Sequence, residues 1–505
     1  MELVERFSYF SFWLDESKFE SLTYSEALAK WPGLVIPIED ILRSVNDNID
    51  PRAAIKILDT LPWQFSWATN LGLEEPRYIP TNWFKLLNEF NGCSAGNTQE
   101  ESLLQGLSEL VERHVSAEID AKRPTTPTII DDNSDPTLTK LLADFKREGI
   151  ELILKDFSLN MPLPTIGAVA YDLQTFPKAS EIVFTAGTAS TPAKAAIRAV
   201  TEVAQLAGDF CTNACYEASG LPKFRDLADI EWLKAGPTIK LQEVVSLGAD
   251  DIKTELVSAI QKLAPLNVYT IQTTHPLLEI PTHYSIVPGL SFRERDKNQS
   301  LGLFTGRRLI EEADLETCIS GLKLIHAFYG KAPFWSFFEG QVALRKKEYL
   351  KAHEAFKAAI PKQIDTDSKA LAAFYAGYTL TLTNSYHEAI PSLREALAFD
   401  PYMQEAQNML GVALFKEHNY AEAKEAFSQA LAIDKGSAIN LANLGMCEIH
   451  LDELALAYEH LTAALKLNPG ITFAQNALET LAARTKAQAK TNDDSTPSDA
   501  SPSNS

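Results

Sequence analysis

Gly377, Gly411 and Gly445 stand 34 residues apart, and Gly340 precedes the first of them by 37. Twelve residues after the three evenly spaced glycines come Ala389, Ala423 and Ala457; then follow Leu393, Phe427 and Leu461, and then Ala396, Ala430 and Ala464. Such a period constrains the fold more than any other feature of the chain. Each unit must be one helical hairpin that cannot bury its apolar face alone, so the units have to stack. Gly and Ala at fixed places let the two helices of a hairpin approach closely, while Phe or Leu fills the gap between them. The first unit keeps the register with Ala352, Phe356 and Ala359, and three extra residues follow it. Four units are therefore expected from about 333 to 470, with Pro401 and Pro469 closing two of them.

This is the period of a tetratricopeptide (TPR) array. A capping helix is expected over 471–485, so the repeat domain spans 333–485. Residues 486–505 are rich in Ser, Asp and Pro, and read as a disordered tail. The register puts Phe374, Tyr378, Val412, Phe415, Met446 and Ile449 on the concave face. No Lys/Asn clamp for a terminal carboxylate stands among them. The face is expected to take a peptide segment or a partner's helix, and not an acidic C-terminal tail, or else to pack against the chain's own first domain.

The 505 residues are too many for one core, so a second domain is expected over 1–320. Apolar runs at 151–154, 166–170 and 182–184 read as buried strands, with further strands at 268–272 and 284–287. Helical stretches at 99–118 and 191–207 lie between them, which makes a mixed α/β domain. The segment 121–139 reads as a loop or linker. The net charge of -21 argues against non-specific binding to nucleic acid or an anionic membrane. No apolar run is long enough to span a bilayer, and no basic leader precedes an apolar core. Five sparse cysteines suit a reducing cytoplasm. Cys211 and Cys215 would share a helix face, but with no second Cys or His cluster near them they read as buried packing thiols.

The pentapeptide ELVER occurs twice, at Glu2–Arg6 and Glu109–Arg113. On a helix, each copy places two carboxylates and one guanidinium on one face. A single copy is read as a salt-bridged surface. Two copies on facing helices would gather carboxylates suited to Mg2+, with Arg6 and Arg113 countering phosphate charge. Before the second copy, the small-residue turn Asn91–Gly96 leads into a helix start with Asn97 or Thr98 as N-cap. Glu101 lies about two turns before Glu109 on nearly the same face. Further along, Arg198 and Glu202 are four apart on another helix; taken alone, such a pair is surface decoration.

ELVERFS, NGCSAGNTQEESLLQGLSELVERH and RAVTEVAQ, in that order, resemble the nucleotide-binding motifs of the YcaO domain, and THYSIVPGL resembles its later strand region. The resemblance covers roughly 1–310. It implies ATP and Mg2+ as ligands and activation of a peptide-backbone amide: a nucleophile adds to the carbonyl carbon, the oxygen takes a phosphoryl group, and phosphate leaves. It implies Glu2, Glu5, Glu101, Glu109 and Glu112 as Mg2+ ligands or their orienters. Arg6, Arg113 and Arg198 would contact phosphates, with Asn97 and Glu202 completing the nucleotide site. No catalytic residue is assigned.

Two departures shape the expectation. Met1 immediately precedes the first ExxER, so the family's upstream Gly/Lys/Ser segment is expected to be missing. The chain ends in SPSNS where azoline-forming members carry a proline-rich terminus. That points to thioamide formation, or support of another modification, with a peptide or protein substrate and a partner on the TPR groove; a homodimer stays open. The competing reading is a non-catalytic TPR scaffold with a degenerate YcaO-like domain. No GxSxG, HExxH or CxxC pattern supports hydrolase or zinc chemistry. The short basic runs at 146–147, 307–308 and 345–347 read as solvated faces.

Overall fold

Every side chain of the strand Thr165–Tyr171 is buried, so the run shows no polar alternation. The computed structural model describes all residues except 131–132, 178–179, 208–223, 225, 293–298 and 494–505. Two compact units emerge, Met1–Thr305 and Gly306–Ser505.

The first unit holds two sheets. Its strands are β1 (Glu20–Leu22), β2 (Trp63–Asn70), β3 (Glu75–Pro80), β4 (Cys93–Ala95), β5 (Thr128–Ile130), β6 (Glu151–Asp156), β7 (Thr165–Tyr171), β8 (Val183–Thr188), β9 (Thr238–Lys240), β10 (Tyr269–Gln272) and β11 (Thr282–Ile286). One sheet runs β1-β2-β10-β11-β4, with β3 also paired to β2, and all its pairs are antiparallel. The other runs β8-β7-β6-β5-β9, antiparallel except for the parallel β5–β9 pair. Residues 121–139 are thus more than a loop, because they contain β5 and the start of helix Pro136–Arg147. The β-branched run Thr128-Ile129-Ile130 finds ladder partners on both sides, and that long-range pairing overrides its Pro-rich flanks.

Helix Gln99–Lys122 packs against β4 and β11 of one sheet and against β7 and β8 of the other. Thr98 caps its start by accepting the Glu101 N–H at 3.2 Å, and Glu100 and Glu101 complement the dipole in the first turn. It ends at Arg123, which adopts a left-handed φ of 44°. Helix Pro192–Ala207 covers β7 and β8. Its face of Ala195, Ala196, Ala199, Val200 and Val203 is fully buried, and the small alanines bring the helix close to the sheet.

The second unit is helical. After helix Leu315–Tyr329 come four hairpins: Trp335–Arg345 with Tyr349–Ala359, Thr366–Thr381 with Tyr386–Phe399, Gln404–Lys416 with Tyr420–Ile433, and Ala438–His450 with Leu454–Leu467. They fall on the four expected repeats. The closing helix runs Thr472–Asp493, so the first residues of the expected tail continue it, and 494–505 lie outside the described residues. Among the expected concave residues, Met446 and Ile449 line a small cavity together with Phe473, Ala477 and Leu481 of that closing helix. Cys93, Cys318 and Cys447 are buried free thiols, whereas Cys211 and Cys215 lie outside the described residues. No described helix is long and apolar enough to cross a membrane.

Candidate nucleotide and metal site

The two ELVER segments lie on helices Glu2–Leu14 and Gln99–Lys122, and both helices pack against β4 and β11. Tyr9 anchors the first. Its side chain is buried, its hydroxyl donates to the Glu89 carbonyl at 2.9 Å, and its ring meets Tyr284 of β11 edge-on. One turn earlier, this fixes Glu5 and Arg6.

On the second helix, Glu109 accepts the backbone N–H of Gly92 at 3.3 Å, and Glu112 accepts that of Thr188 at 2.8 Å. The first bond ties the helix to the turn entering β4, and the second ties it to the end of β8. Gly92 has φ +91°, and a Cβ there would sit 2.3 Å from the Ser285 carbonyl oxygen. Only glycine lets that turn approach β11 closely enough to present its N–H.

These carboxylates feel one another. Burial, then the charge of Glu109, pushes Glu5 up to about 7, although Arg6 pulls the other way. Glu112 is likewise pushed up to about 7 by burial, against the pull of Arg198. Glu109 is raised by burial and held down by Arg113, the Gly92 N–H, Arg6 and Arg198. The side chain of Glu109 keeps 23% of its surface open, so a ligand has access to it. The arginines lie close to the carboxylates: Arg6 Nε is 3.9 Å from Glu5, and Arg113 is 3.8 Å from Glu109. Arg6 also lies over the Phe90 ring at 4.7 Å, and its Nη1 is buried with no hydrogen-bond partner among the described residues.

Six of the expected residues therefore converge: Glu5, Arg6, Glu109, Glu112, Arg113 and Arg198. Of the other four, Glu2 is exposed in the first turn of its helix, where its charge still pushes Glu5 up, and Glu202 is exposed on helix Pro192–Ala207. Glu101 instead binds Asn97, accepting its backbone N–H at 2.8 Å and its side-chain amide at 2.9 Å. Among the described residues, no three His, Cys, Asp or Glu side chains are gathered closely enough to hold a metal. Even so, the donor set fits a nucleotide with a hard divalent cation. Partly buried carboxylates that repel one another favour a cation, and an unsatisfied guanidinium N–H beside them favours a phosphate oxygen.

One contributor escaped sequence reasoning. Gln105 accepts from Arg198 Nη1 at 2.6 Å, joining helix Gln99–Lys122 to helix Pro192–Ala207. The signal was present: 101, 105, 109 and 112 form one stripe at helical spacing.

Comparison with known families matches residues 1–291, more than half of the chain, to the family described as YcaO cyclodehydratase, ATP- and Mg2+-binding. The chain belongs to the YcaO family. ATP and Mg2+ are thus its family's ligands. Two tetratricopeptide-repeat families match 337–406 and 404–437. The chain is similar to an uncharacterized protein of Methanothermobacter thermautotrophicus, 27% identical over 295 residues, which cover 52% of this chain and 74% of that protein. It is 36% identical over 97 residues to the Escherichia coli ribosomal protein S12 methylthiotransferase accessory factor YcaO, covering 19% of this chain and 17% of that one. Among solved structures, YcaO from Methanopyrus kandleri bound with AMPPCP and Mg2+ matches at TM-score 0.37 and 24% identity, over 45% of this chain and 64% of that one.

Proposed function

We propose that this YcaO protein uses ATP and Mg2+ to activate a backbone amide of a peptide or protein, in thioamide formation or in support of another modification, and that its TPR repeats bind the substrate or a partner. One observation carries the reading. Glu5, Glu109 and Glu112, from the two ELVER segments, share one electrostatic environment with Arg6, Arg113 and Arg198. The E. coli relative's description as an accessory factor of a methylthiotransferase supports the second form of the chemistry.

In this chemistry ATP supplies the phosphoryl group that the amide oxygen takes and then loses as phosphate. The chain's residues bind and neutralise. Glu5, Glu109 and Glu112 offer oxygens to the cation, and Glu2 and Glu101 are further ligands or orienters. Arg6, Arg113 and Arg198 face phosphate charge, with Asn97 and Glu202 completing the nucleotide site. Such chemistry needs positioning and charge compensation more than a covalent protein group. The sparse free thiols support a reducing cytoplasm as its place of work.

The test is calorimetric titration of the full chain with ATP in Mg2+ and in EDTA, followed by phosphate release with candidate peptides. Saturable binding that needs Mg2+ is the expected result. No binding in either condition would overturn the reading and favour the TPR scaffold.

A further inference from the structure

The first helices of the second unit enclose a cavity. It measures about 570 Å³ and opens between helices Leu315–Tyr329, Trp335–Arg345 and Tyr349–Ala359. Leu322, Phe338, Val342 and Ala355 line it with apolar surface. At its side His326 and Trp335 meet at 4.4 Å between ring centroids. A volume of several hundred Å³ suits one or two large side chains.

Its lining carries three lysines and two carboxylates. Lys323, Lys346 and Lys351 line the cavity from three separate elements. Glu348 already pairs with Lys351 at 3.1 Å, and Glu339 accepts from the Trp335 indole N–H at 3.0 Å. Among the described residues, Lys323 and Lys346 have no carboxylate partner. Three lysines against Glu339 and Glu348 leave the lining with a net charge of +1, in a chain of net charge -21. An acidic ligand would be repelled by most of the surface and drawn to this rim.

The cavity is separate from the groove between the repeats. By register, the counterpart of Phe374 in the first repeat is Phe337, which packs against Phe356 and Tyr375. The cavity uses Trp335, Phe338 and Val342, on another face of the same helix.

We propose that this cavity is a docking site for an acidic peptide segment, one that inserts a large apolar side chain between the helices and sets flanking carboxylates against Lys323 and Lys346. The apolar anchor supplies affinity, and the lysine pair selects acidic flanks.

The probe is a fluorescein-labelled ten-residue peptide with Leu-Phe at its centre and Asp and Glu on both flanks, titrated into the full chain and read by anisotropy. The expected result is saturable binding that weakens at higher salt. Lys323→Glu combined with Lys346→Glu should weaken it about tenfold or more. The pair Lys323→Arg and Lys346→Arg should keep it, and a peptide with Ser-Ser at its centre should lose it. Both lysines are exposed, so these variants should fold, and unchanged circular-dichroism melting would confirm that. Equal binding of the same peptide with Lys and Arg flanks overturns the proposal. So does binding unmoved by the Glu pair but lost in Val412→Glu, which places the peptide in the repeat groove. Binding of laurate or oligo-uridylate at this rim without binding of the acidic peptide overturns it as well.

Discussion

Arg198 donates an Nη1 hydrogen to Gln105 Oε1 at 2.6 Å, across 93 residues of sequence. The acceptor is an amide, so this bond positions Arg198 without adding a carboxylate to Glu112 and Glu109, which already feel its charge. A positioned guanidinium suits a phosphate ligand. Gln105→Glu would convert the contact into an ion pair and use up the charge. Gln105→Ala would keep the charge and lose the positioning. We expect Gln105→Glu to weaken ATP binding in Mg2+ about tenfold and Gln105→Ala less, both with near-native melting. Calorimetry on the three proteins checks the order. A purely structural role for Gln105 would make Ala the worse substitution.

Glu112→Gln tests the carboxylate cluster. Glutamine keeps an oxygen for the Thr188 N–H, so the tie between helix Gln99–Lys122 and β8 survives. It removes a charge that burial already disfavours, as the shift of Glu112 to about 7 shows. The ligand-free variant should therefore melt no lower than the native protein. Its affinity for ATP in Mg2+ should fall at least about tenfold, roughly 1.4 kcal/mol. Unchanged affinity would remove Glu112 from the site.

How much of this was legible depends on the range of each interaction. The repeats were readable because each helix pair contacts its neighbours at a fixed sequence offset: Gly411 meets Phe427, sixteen residues on, and Gly445 meets Leu461 at the same offset. The ELVER face was readable for the same reason, since i, i+3 and i+4 geometry is local. Strand β5 was not, because Ile129 finds Leu154 and Ile239 as partners only after the chain has folded back. The site was half legible. Spacing found Glu109, Glu112 and Arg113, but a stripe of like residues could not show that Glu101 turns to Asn97 while Gln105 reaches Arg198. Nor could it reveal the backbone donors Gly92 and Thr188, which sequence does not mark as chemical groups at all.

His283 gives the first unit an acid-sensitive point. It lies buried on β11, its Nδ1 is 2.9 Å from the Ser102 hydroxyl, and burial lowers its pKa to about 4. The unfolded chain takes up this proton near pH 6.5, whereas the folded chain resists until about 4. Stability from His283 is therefore full above 6.5 and lost as pH falls to 4, by about 3 kcal/mol. Glu5 and Glu112 act oppositely: with folded values near 7, their contribution is full below 4.5 and lost as pH rises through 7. Comparing His283→Asn with the native protein separates the two effects. Urea unfolding of both between pH 6.5 and 4 should show a shallower acid loss in the variant. Parallel profiles would mean that the imidazole is protonated inside the fold.

The last expectation concerns the repeats. A Cβ at Gly411 would stand 2.7 Å from Phe427 Cε1 and 2.8 Å from Cζ. Phe427 is 1% exposed, so its ring has nowhere to retreat. In a free helix, Gly→Ala would gain about 1 kcal/mol of propensity. Here overpacking costs about 1–3 kcal/mol and should win, so Gly411→Ala should be destabilising. Phe427→Ala alone should cost about 3–5 kcal/mol by leaving a cavity. In that background the clash is gone and the propensity gain remains, so adding Gly411→Ala should then be neutral or stabilising. Chemical denaturation of the two single variants and the double variant closes the cycle. Equal costs of Gly411→Ala in both backgrounds would show that something other than the Phe427 ring requires glycine at this crossing.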